Sequence, residues 1–507
     1  MKCKHCKSEN VEYRGARGEG KKRQFCQDCR KWSTVKVDYK SIPKFEYLGE
    51  SSERAVKKHN TFIVTSAQNN TPVDKLFWQS LLNLQKHYDA ALFVIPTLYR
   101  NPSVPGIEKE DAWWPQEVIP YLIDEGIQLA PGIVVMAQVK IGATTDNPLT
   151  GLDSLSRGDS AIFGHAQIQM KTVATPQHKL PKILMTTGST SVKSYGMSKA
   201  GIKGAFHHAL GAAIVEINGD VFHIRGVVGD EKSEFYDLDL HVTAKGVRSG
   251  KRIEALVVGD EHSMFTCPDV VKATFTDSDS IVNVLKPKYI VRHDVIDAYT
   301  ISHHHDHSPS KQYSKYKFNK NRLIDELELT ARYIEKTTPK GSTNVIVPSN
   351  HHNHIAKWLE LADWRSEPWN AKIYHEMWAA WLDAIDNGLK FHPFTWWMKN
   401  NCKADTLYLF DDYPFIVKGV YLSYHGDKGI NGAKGNLRQF SKIGVKTVIG
   451  HWHSPGIEKG AYLVGTSSKL SLEYTSGPSS WLNSHCIISA NGKRQIINII
   501  KGQWRKG

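Results

Sequence analysis

Apolar residues recur with two alternating periods in the first half of the chain. Short β-branched runs at 61–67 and 91–98 are typical of buried strands, and the helically spaced run 76–90 lies between them. Thr71 to Asp74 form a capping box with proline at the first helical position, which predicts the start of this helix. A second helix at 114–126 and a third strand at 132–139 complete a β-α-β-α-β order. This order predicts a parallel, doubly wound α/β domain, whose task the sequence leaves open.

A different pattern begins near residue 250, where apolar strands are followed by residues of the types that bind metals. Because the carboxyl ends of parallel strands meet at one open edge of a sheet, these side chains are expected to lie together. The five pairs are 253–258 followed by Asp260 and His262, 289–291 followed by Asp294 and Asp297, 344–347 followed by Asn350 and His351, 415–424 followed by His425, and 445–449 followed by His451 and His453.

The last pair is the plainest metal signal of the five. Residues two apart in an extended segment point the same way, so His451 and His453 present two imidazoles on one side. Neutral imidazole is a frequent ligand of divalent transition metals, and mixed imidazole, carboxylate and amide ligands suit manganese, iron or zinc. Cysteine is absent from all five motifs, which argues against a thiolate zinc cage there.

The N-terminus carries a separate metal signal. Two C-x-x-C pairs separated by 19 residues predict a tetrahedral structural zinc site, and a module this small needs its metal to fold. The Gly-rich hairpin between them resembles the zinc ribbons of transposases and phage DNA-processing proteins, and its cations are candidates for contacts with a nucleic-acid backbone. A purely structural zinc module is the alternative. The four ligands are Cys3, Cys6, Cys26 and Cys29, and the five cations are Arg14, Arg17, Lys21, Lys22 and Arg23.

Composition narrows the classes of protein further. The chain has 507 residues, which suggests about three domains, and a formal net charge of +14, which favours a polyanionic partner. Four of the seven cysteines crowd into the first 29 residues, a usage that fits a reducing compartment and a cytoplasmic location. No apolar run is long enough to span a membrane, and the N-terminus lacks the apolar stretch of a signal peptide.

The five motifs occur in the order D-x-H, D-x-x-D, N-H, H and H-x-H over residues 250 to 475. This order resembles the calcineurin-like metallophosphoesterase superfamily and, within it, the nucleases of double-strand-break repair. The resemblance implies a C-terminal αββα sandwich and two divalent ions, manganese first, with magnesium, iron or zinc as alternatives. The predicted organisation is a zinc ribbon at 1–33, a linker at 34–58, the α/β domain at 59–248 and the metallophosphoesterase domain at 249–507.

The resemblance also assigns a role to each residue of the motifs. It implies that Asp294 bridges the two ions and that His351 gives a proton to the leaving oxygen of the scissile phosphate. The remaining ligands would be divided between the two ions. The first metal would be held by Asp260, His262 and His453, and the second by Asn350, His425 and His451.

The chain departs from the superfamily pattern at two positions. His293 stands where glycine usually precedes the bridging aspartate, and His352 stands where an acid usually orients the catalytic histidine. That acid is therefore missing or supplied from elsewhere. Asp239 and His241 form a rival D-x-H, which lacks the strand and glycine that the motif requires. The histidine run at 303–307 is either a substrate-side group or a solvated loop.

The whole arrangement is similar to the pre-early DNA transfer proteins of tailed phages, which are linked to breakdown of host DNA and to genome entry. The expected function is a metal-dependent DNA phosphodiesterase, a nuclease acting in the host cytoplasm, with double-stranded DNA as the partner. Self-association is left open. The alternatives are a phosphomonoesterase or small-substrate phosphodiesterase with a structural ribbon, and a DNA-binding scaffold without catalysis.

Overall fold

A computed structural model describes residues 2–16, 21–36, 49–99, 112–302, 308–411, 413–472 and 475–506. Within these ranges the side chains of 12–16, 21–22, 35–36 and 49–51 are outside the description. The chain forms two compact units. Unit 1 comprises Met1–Lys251, Gly456–Lys459 and Arg505–Gly507, and unit 2 comprises Arg252–Pro455 and Gly460–Trp504. The finer division into ribbon, linker and two domains stays a prediction.

Unit 1 is rich in strands. Its elements in chain order are β1 (Val11–Ala16), β2 (Lys21–Cys26), β3 (Trp32–Lys36), α1 (Gly49–Lys58), β4 (Thr61–Gln68), α2 (Lys75–Tyr88), β5 (Ala91–Thr97), β6 (Gly126–Ala130), β7 (Ile133–Met136), β8 (Ser160–Phe163), β9 (Gln169–Val173), β10 (Lys182–Thr186), α3 (Lys199–His207), β11 (Gly211–Asn218), β12 (Val221–Val228), β13 (Phe235–Asp237), β14 (Leu240–Thr243) and β15 (Gly246–Arg248).

These strands are distributed over several sheets. One has the order β12-β11-β4-β5, with β4 and β5 parallel and joined by α2. Helix α2 buries Phe77, Leu81 and Leu84 against this sheet, because their spacing of three and four places them on one face. Strands β1-β2-β3 and β13-β14-β15 form two small sheets, and β6 to β10 pair in the order β9-β10-β8-β7-β6.

The sequence expectation for unit 1 is right in its first half and wrong in its second. The strands at 61–67 and 91–98 and the helix between them are confirmed, although the helix is capped by Asp74, whose side chain accepts from the backbone N–H of Phe77. The predicted helix at 114–126 is wrong, because only a short 3-10 turn forms at Ile119–Tyr121. The strand at 132–139 joins a different sheet, so the doubly wound order does not continue.

Unit 2 alternates strands and helices, and Gly456–Glu458 (β23) is the one strand in this range that belongs to unit 1. The elements in chain order are β16 (Ala255–Val257), α4 (Pro268–Val271), α5 (Ile281–Leu285), β17 (Tyr289–Arg292), α6 (Pro309–Lys317), α7 (Leu323–Lys336), β18 (Thr343–Ile346), α8 (Asn350–Leu361), α9 (Ala371–Asp386), α10 (Pro393–Asn401), β19 (Thr406–Tyr408), β20 (Ile416–Val417), β21 (Val420–Tyr421), α11 (Leu437–Phe440), β22 (Lys446–Ile449), β23, β24 (Ala461–Leu463), β25 (Ser484–Ile488) and β26 (Arg494–Asn498).

Two sets of strands position the functional residues of unit 2. The first has the order β19-β18-β17-β16-β25-β26, and its strands β16 to β19 are parallel. The second runs β20-β21-β22-β24, with β21, β22 and β24 parallel. Helices α7, α8, α9 and α10 pack around a core that includes Leu327, Ile355, Met377 and Phe394. The protein is thus a mixed α/β protein, as expected.

One predicted strand of unit 2 is broken in two. Lys418 and Gly419 both adopt positive φ, of 49° and 75°, so the run 415–424 turns back on itself as the short antiparallel pair β20 and β21. The turn still leaves β21 directed at the same edge as β22. Among the helices that the structure describes, none is both long enough and apolar enough to cross a membrane.

Candidate metal centre

The predicted ligands of unit 2 lie just beyond the carboxyl ends of strands in both sets. Asp260 and His262 follow β16, and Asp294 follows β17. The other ligands follow strands in the same way or, for Asn350, begin the helix after β18. They are Asn350, His425 after β21, and His451 and His453 after β22. Because the first three strands are parallel, their ends meet at one edge, which is where α/β sheets bind ligands.

The residues expected around a first metal lie together. The Nε2 atom of His453 is 3.0 Å from Oδ2 of Asp260 and 3.2 Å from Nε2 of His262. All three side chains are buried, and each offers a ligand atom within 4.8 Å of the others. Three protein ligands converging from the end of β16 and from the turn after β22 are enough to hold a divalent ion with further positions open.

A second group forms around Asp294. Its Oδ2 atom is 3.0 Å from Nε2 of His425, and His451 completes a set of ligand atoms within 4.8 Å of one another. Asp294 also forms a compact group with His262 and His351. A carboxylate that belongs to groups on both sides has the placement expected of a bridging ligand.

Asn350 lies at the first position of α8, where Ser349 caps the helix. Its Oδ1 atom is buried and has no hydrogen-bond partner within the part of the chain that the structure describes. Asn350 is thus held by the helix start, with an acceptor left over at the same edge as Asp294.

Unpaired polar atoms show that the centre fits cations. Buried polar groups are almost always hydrogen-bonded, yet several buried atoms here have no such partner among the described residues. The clearest of these atoms are Oδ1 of Asp260, Oδ1 of Asp294 and Nδ1 of His451. Divalent ions bound by carboxylate oxygens and imidazole nitrogens would satisfy such a set, and these donors suit manganese, iron or zinc.

The electrostatics of the centre are set by burial and by close opposite charges. Burial raises the pKa of Asp260, but the hydrogen bond from His453 and the charges of His425 and His453 together lower it to about 2. Burial disfavours the charged form of His425, yet the Asp294 carboxylate raises its pKa to about 9. The carboxylates are therefore ionised at neutral pH, and His425 holds a proton that a metal ion would displace.

Asp297, which received no role from the sequence, organises two histidines. Its Oδ2 atom is 3.0 Å from Nδ1 of His262, which leaves Nε2 of that ring facing the first ligand group. Its backbone carbonyl accepts from Nδ1 of His351 at 2.6 Å. Carboxylate and carbonyl partners of this kind fix the tautomer and ring direction of a ligating histidine. The second acid of D-x-x-D was the signal that pointed to it.

The hydrogen bond from His351 to the Asp297 carbonyl takes the place of the acid that usually orients the catalytic histidine. The next residue, His352, is buried and stacks on Phe394, with ring centroids 4.1 Å apart. It therefore packs in the core and does not orient its neighbour. His351 is directed by Asp297 instead, and its Nε2 atom lies 4.0 Å from Oδ2 of Asp294.

His293, in place of the usual glycine, is part of the centre. Its Nδ1 atom is 3.3 Å from Nδ1 of His425, and it forms a fourth compact group with Asp260 and His425. Burial lowers its pKa to about 4, so the ring is neutral at ordinary pH. The sequence marked this position as a departure and did not identify it as a candidate ligand.

Close packing explains the glycine that precedes His451. A Cβ atom at Gly450 would lie 2.3 Å from Oδ1 of Asp260, so no larger residue fits. The backbone N–H of His451 donates to Oδ2 of Asp260 at 2.8 Å. The strand β22 thus ends in direct contact with the first ligand group.

A buried ion pair supports the first strand end. Arg292 Nη1 donates to Oε1 of Glu261 at 2.7 Å, and Tyr333 donates to the same oxygen at 2.8 Å. Glu261 lies between Asp260 and His262, while Arg292 is the last residue of β17. The pair therefore ties the first and second motifs together in the interior.

Four residues of the centre have left-handed backbone. The φ angles are 45° at His262, 42° at Asp294, 79° at His451 and 56° at His453. Residues with a side chain rarely adopt this region, and each one held there costs about 1 kcal/mol or more. Strain of this kind clusters at functional sites.

The four N-terminal cysteines lie together in unit 1. The Sγ atoms of Cys3 and Cys29 are 3.6 Å apart, those of Cys6 and Cys26 are 3.5 Å apart, and all four fall within 4.8 Å. A hydrogen bond from the Cys6 backbone lowers the pKa of Cys3 to about 6, whereas burial raises the pKa of Cys29, so Cys3 is the thiol of this cluster that ionises first. The cluster is compatible with the predicted zinc site.

The remaining candidates are only partly described. Arg23 stacks over the ring of Trp32, 4.9 Å from its centroid. The side chains of Arg14, Arg17, Lys21 and Lys22 and the whole of residues 303–307 lie outside the described residues. The rival motif is in unit 1, where His241 pairs with Glu234 at 3.1 Å and Asp239 accepts from Gly250.

Fold and site define a mixed α/β protein that combines a four-cysteine cluster with a buried centre of histidines and carboxylates. The chain is 30% identical over 464 residues to Protein A1 of Escherichia phage T5, an alignment that covers 89% of this chain and 83% of that protein. It therefore belongs to the family of that phage protein. No protein-family model matches the chain, and no solved structure matches it.

Proposed function

We propose that this protein is a two-metal-dependent DNA phosphodiesterase, a nuclease related to the calcineurin-like metallophosphoesterases. The observation that carries the proposal is the pair of ligand groups that share one edge, one around Asp260 and the other around Asp294. Each group combines a carboxylate with imidazoles and contains buried atoms that lack a hydrogen-bond partner among the described residues. A single structural ion would not require two such groups.

The proposed division of ligands is supported by these groups and, for Asn350, by the resemblance. Two bound ions, manganese first and magnesium, iron or zinc as alternatives, would supply Lewis acidity and neutralise charge that develops at phosphorus. The first would be held by Asp260, His262 and His453. The second would be held by Asn350, His425 and His451, with Asp294 shared and His293 beside them.

His351 is the proposed proton donor to the leaving oxygen. Its Nδ1–H donates to the Asp297 carbonyl, which fixes the ring and leaves Nε2 as the nitrogen that can carry the transferred proton. Nε2 lies 4.0 Å from the shared Asp294 carboxylate and therefore stands at the edge of both ligand groups. General acid catalysis at this position is worth about 10²–10⁴-fold.

DNA is the proposed substrate because of charge and the N-terminal module. A net charge of +14 favours a polyanion over a small phosphate ester. Arg23 is held over Trp32 beside the cysteine cluster and presents a fixed cation there. The phage relative supports a phage origin, and we place the activity in breakdown of host DNA during phage DNA transfer, in the host cytoplasm.

A cleavage assay tests the proposal. Linear, circular and single-stranded DNA are incubated with the wild type or with Asp294→Ala, each with manganese, magnesium or EDTA. We expect cleavage by the wild type with manganese and none with EDTA or with Asp294→Ala, because both ligand groups depend on that carboxylate. Cleavage of circular DNA identifies endonuclease activity.

Aryl phosphate substrates separate the alternatives. A phosphomonoesterase would hydrolyse an aryl phosphomonoester and leave every DNA form intact. A non-catalytic DNA-binding scaffold would retard DNA in the gel and hydrolyse none of these substrates. Wild-type cleavage by Asp294→Ala would show that the assignment of the site is wrong.

A further inference from the structure

Helix α6 buries a lysine and exposes aromatic rings, which is the reverse of what a surface helix usually does. A surface helix normally buries apolar side chains and exposes charged ones. Here Lys315 is 2% exposed, whereas Tyr313 is 65% and Tyr316 is 68% exposed. Phe318, which follows the helix directly, is 62% exposed. Three large aromatic rings within six residues therefore face solvent, and folding alone gives no reason for this.

The buried side of α6 is attached to loops of the metal centre. The Lys315 ammonium donates to the Thr300 carbonyl at 3.4 Å and lies 5.2 Å from the ring centroid of Tyr299. Lys320 lies 5.7 Å from the ring centroid of Phe265, which itself contacts Tyr299. These lysines therefore serve as anchors for the helix.

The two anchor rings lead directly to the site. The backbone N–H of Phe265 donates to the carbonyl of His262 at 2.6 Å. Tyr299 follows Asp297, the partner of His262 and His351, by two residues. The exposed rings of α6 are thus fixed to the same loops that carry the first ligand group.

The positive charge of the segment around α6 favours an anionic ligand. The segment 308–324 contains no aspartate or glutamate. Of its cations, Lys315 is buried as an anchor and Arg322 pairs with Asp325 at 3.5 Å, whereas Lys317 is exposed beside the rings. Tyr313 and Tyr316 are three residues apart and share one face, and Lys317 is four residues from Tyr313 on that face. The Lys317 ammonium lies 5.9 Å from the Phe318 ring centroid.

We propose that this aromatic and basic face of α6 binds an unpaired stretch of a DNA strand, with bases stacked on Tyr313, Tyr316 and Phe318. Every base has a π-face that can stack on a tyrosine, and Lys317, which is exposed between Tyr316 and Phe318, can pair with a phosphate. The inference rests on the proposed function, which makes DNA the substrate. It adds that a locally unpaired strand is held beside the metal centre.

Binding without catalysis tests this directly. The full-length double variant Tyr313→Ala/Tyr316→Ala is compared with the wild type for binding a labelled single-stranded oligodeoxythymidine and a blunt duplex, both in EDTA. Stacking predicts that the double variant loses about 10-fold or more in affinity for the single strand, and about 2-fold or less for the duplex. Tyr313→Phe/Tyr316→Phe keeps the rings and should retain wild-type binding.

A matched control and a second readout make the outcomes distinct. Tyr413 is 52% exposed in another loop of unit 2, so Tyr413→Ala should leave both affinities unchanged. If Tyr313→Ala/Tyr316→Ala binds the single strand as the wild type does, or loses both DNA forms equally, the inference is wrong and the rings serve another partner.

Hydrolysis of an aryl phosphodiester with manganese tests the proposed function separately. The double variant should keep this activity, because α6 supplies no ligand of the centre. Failure of every variant, wild type included, to hydrolyse the ester or DNA would remove the nuclease proposal. The comparison of single-stranded and duplex binding would still decide the role of α6.

Discussion

Each unit contains a buried ionic cluster, and the two clusters differ in completeness. In unit 1, Arg225 donates to Glu216 at 2.7 Å and to Asp237 at 2.6 Å, and Tyr88 donates to Asp237 at 2.7 Å. Every carboxylate oxygen of that cluster has a hydrogen bond. In unit 2, Asp260 and Asp294 each keep one buried oxygen with no hydrogen-bond partner in the described residues.

The difference separates a structural cluster from a binding site. Burying charges is costly, and a complete set of hydrogen bonds offsets that cost. The Arg225 cluster needs nothing more and serves the fold. The centre in unit 2 brings carboxylate oxygens and imidazole nitrogens together without a complete set of hydrogen bonds, and a bound cation would satisfy them. Both clusters are buried, so burial does not distinguish them. The carboxylate oxygens without a hydrogen-bond partner do.

The largest expected effect is in the incomplete cluster. His351→Ala should lower turnover about 10²–10⁴-fold while two ions per active site remain, because the proposed role of this ring is to donate a proton and not to bind an ion. His451→Ala should lose activity and metal together, since that ring belongs to the second ligand group. Metal analysis of both purified variants beside their cleavage rates measures this. Loss of metal from His351→Ala would make that residue a ligand, and the proton would have to come from elsewhere, with residues 303–307 the next candidates.

The complete cluster should affect stability alone. Arg225→Met leaves two buried carboxylates without their partner, and breaking a buried pair in this way costs about 3–5 kcal/mol. Urea unfolding should show the loss, and metal analysis should show wild-type content in unit 2. Arg248→Met changes an exposed arginine of the same unit and should stay within about 0.5 kcal/mol of the wild type. A variant at Arg225 with unchanged stability would contradict the comparison.

A buried histidine of unit 1 should make the stability of the protein depend on pH. His208 pairs with the Tyr195 hydroxyl at 2.9 Å and the Ser191 carbonyl at 2.8 Å, and burial lowers its pKa from 6.5 to about 4. The unfolded chain therefore binds this proton first, so stability should fall as pH drops below 6.5 and level off below 4. The expected loss from this group by pH 5 is about 2 kcal/mol.

Urea unfolding at several pH values measures this contribution. His208→Gln removes the titrating group, so its stability should depend less on pH than that of the wild type between pH 6.5 and 4. Equal slopes for the two proteins would show that His208 does not contribute.

The smallest effect is expected at the cysteine cluster. Cys26→Ser or removal of residues 1–33 should weaken DNA binding and spare hydrolysis of an aryl phosphodiester. The fall of log affinity with log salt should become less steep, by about 0.9 for each phosphate that the ribbon cations no longer neutralise. An unchanged slope would make the ribbon a structural or protein-binding module. Arg248→Met, outside the ribbon, is the control for charge.

The sequence predicted what depends on short stretches of chain. The strand ends at Asp260, Asp294 and His451 were predictable because a β-branched run followed by ligand-type residues is a local pattern. The four cysteines were predictable because their spacing alone suggests a tetrahedral site. In each case the structure places these residues together, and their role in binding metal stays a prediction.

What depends on packing between distant segments could not be predicted. The contact of His293 with His425 joins positions 132 residues apart, and the bond from His351 to Asp297 spans 54. The helix expected at 114–126 fails for the same reason, since its apolar residues Val118 and Leu122 pack into the core without helical hydrogen bonds over most of that run. Periodicity gives no information about such partners.

The left-handed backbone at His262, Asp294, His451 and His453 has a consequence for how the family can change over generations. Glycine or asparagine would sit more comfortably at each histidine position, so substitutions there relieve the backbone while they remove a ligand. A lineage selected only to stay folded would therefore tend to lose its histidines at these places first. A relative that keeps all three histidines against that drift is one in which selection still acts on the centre.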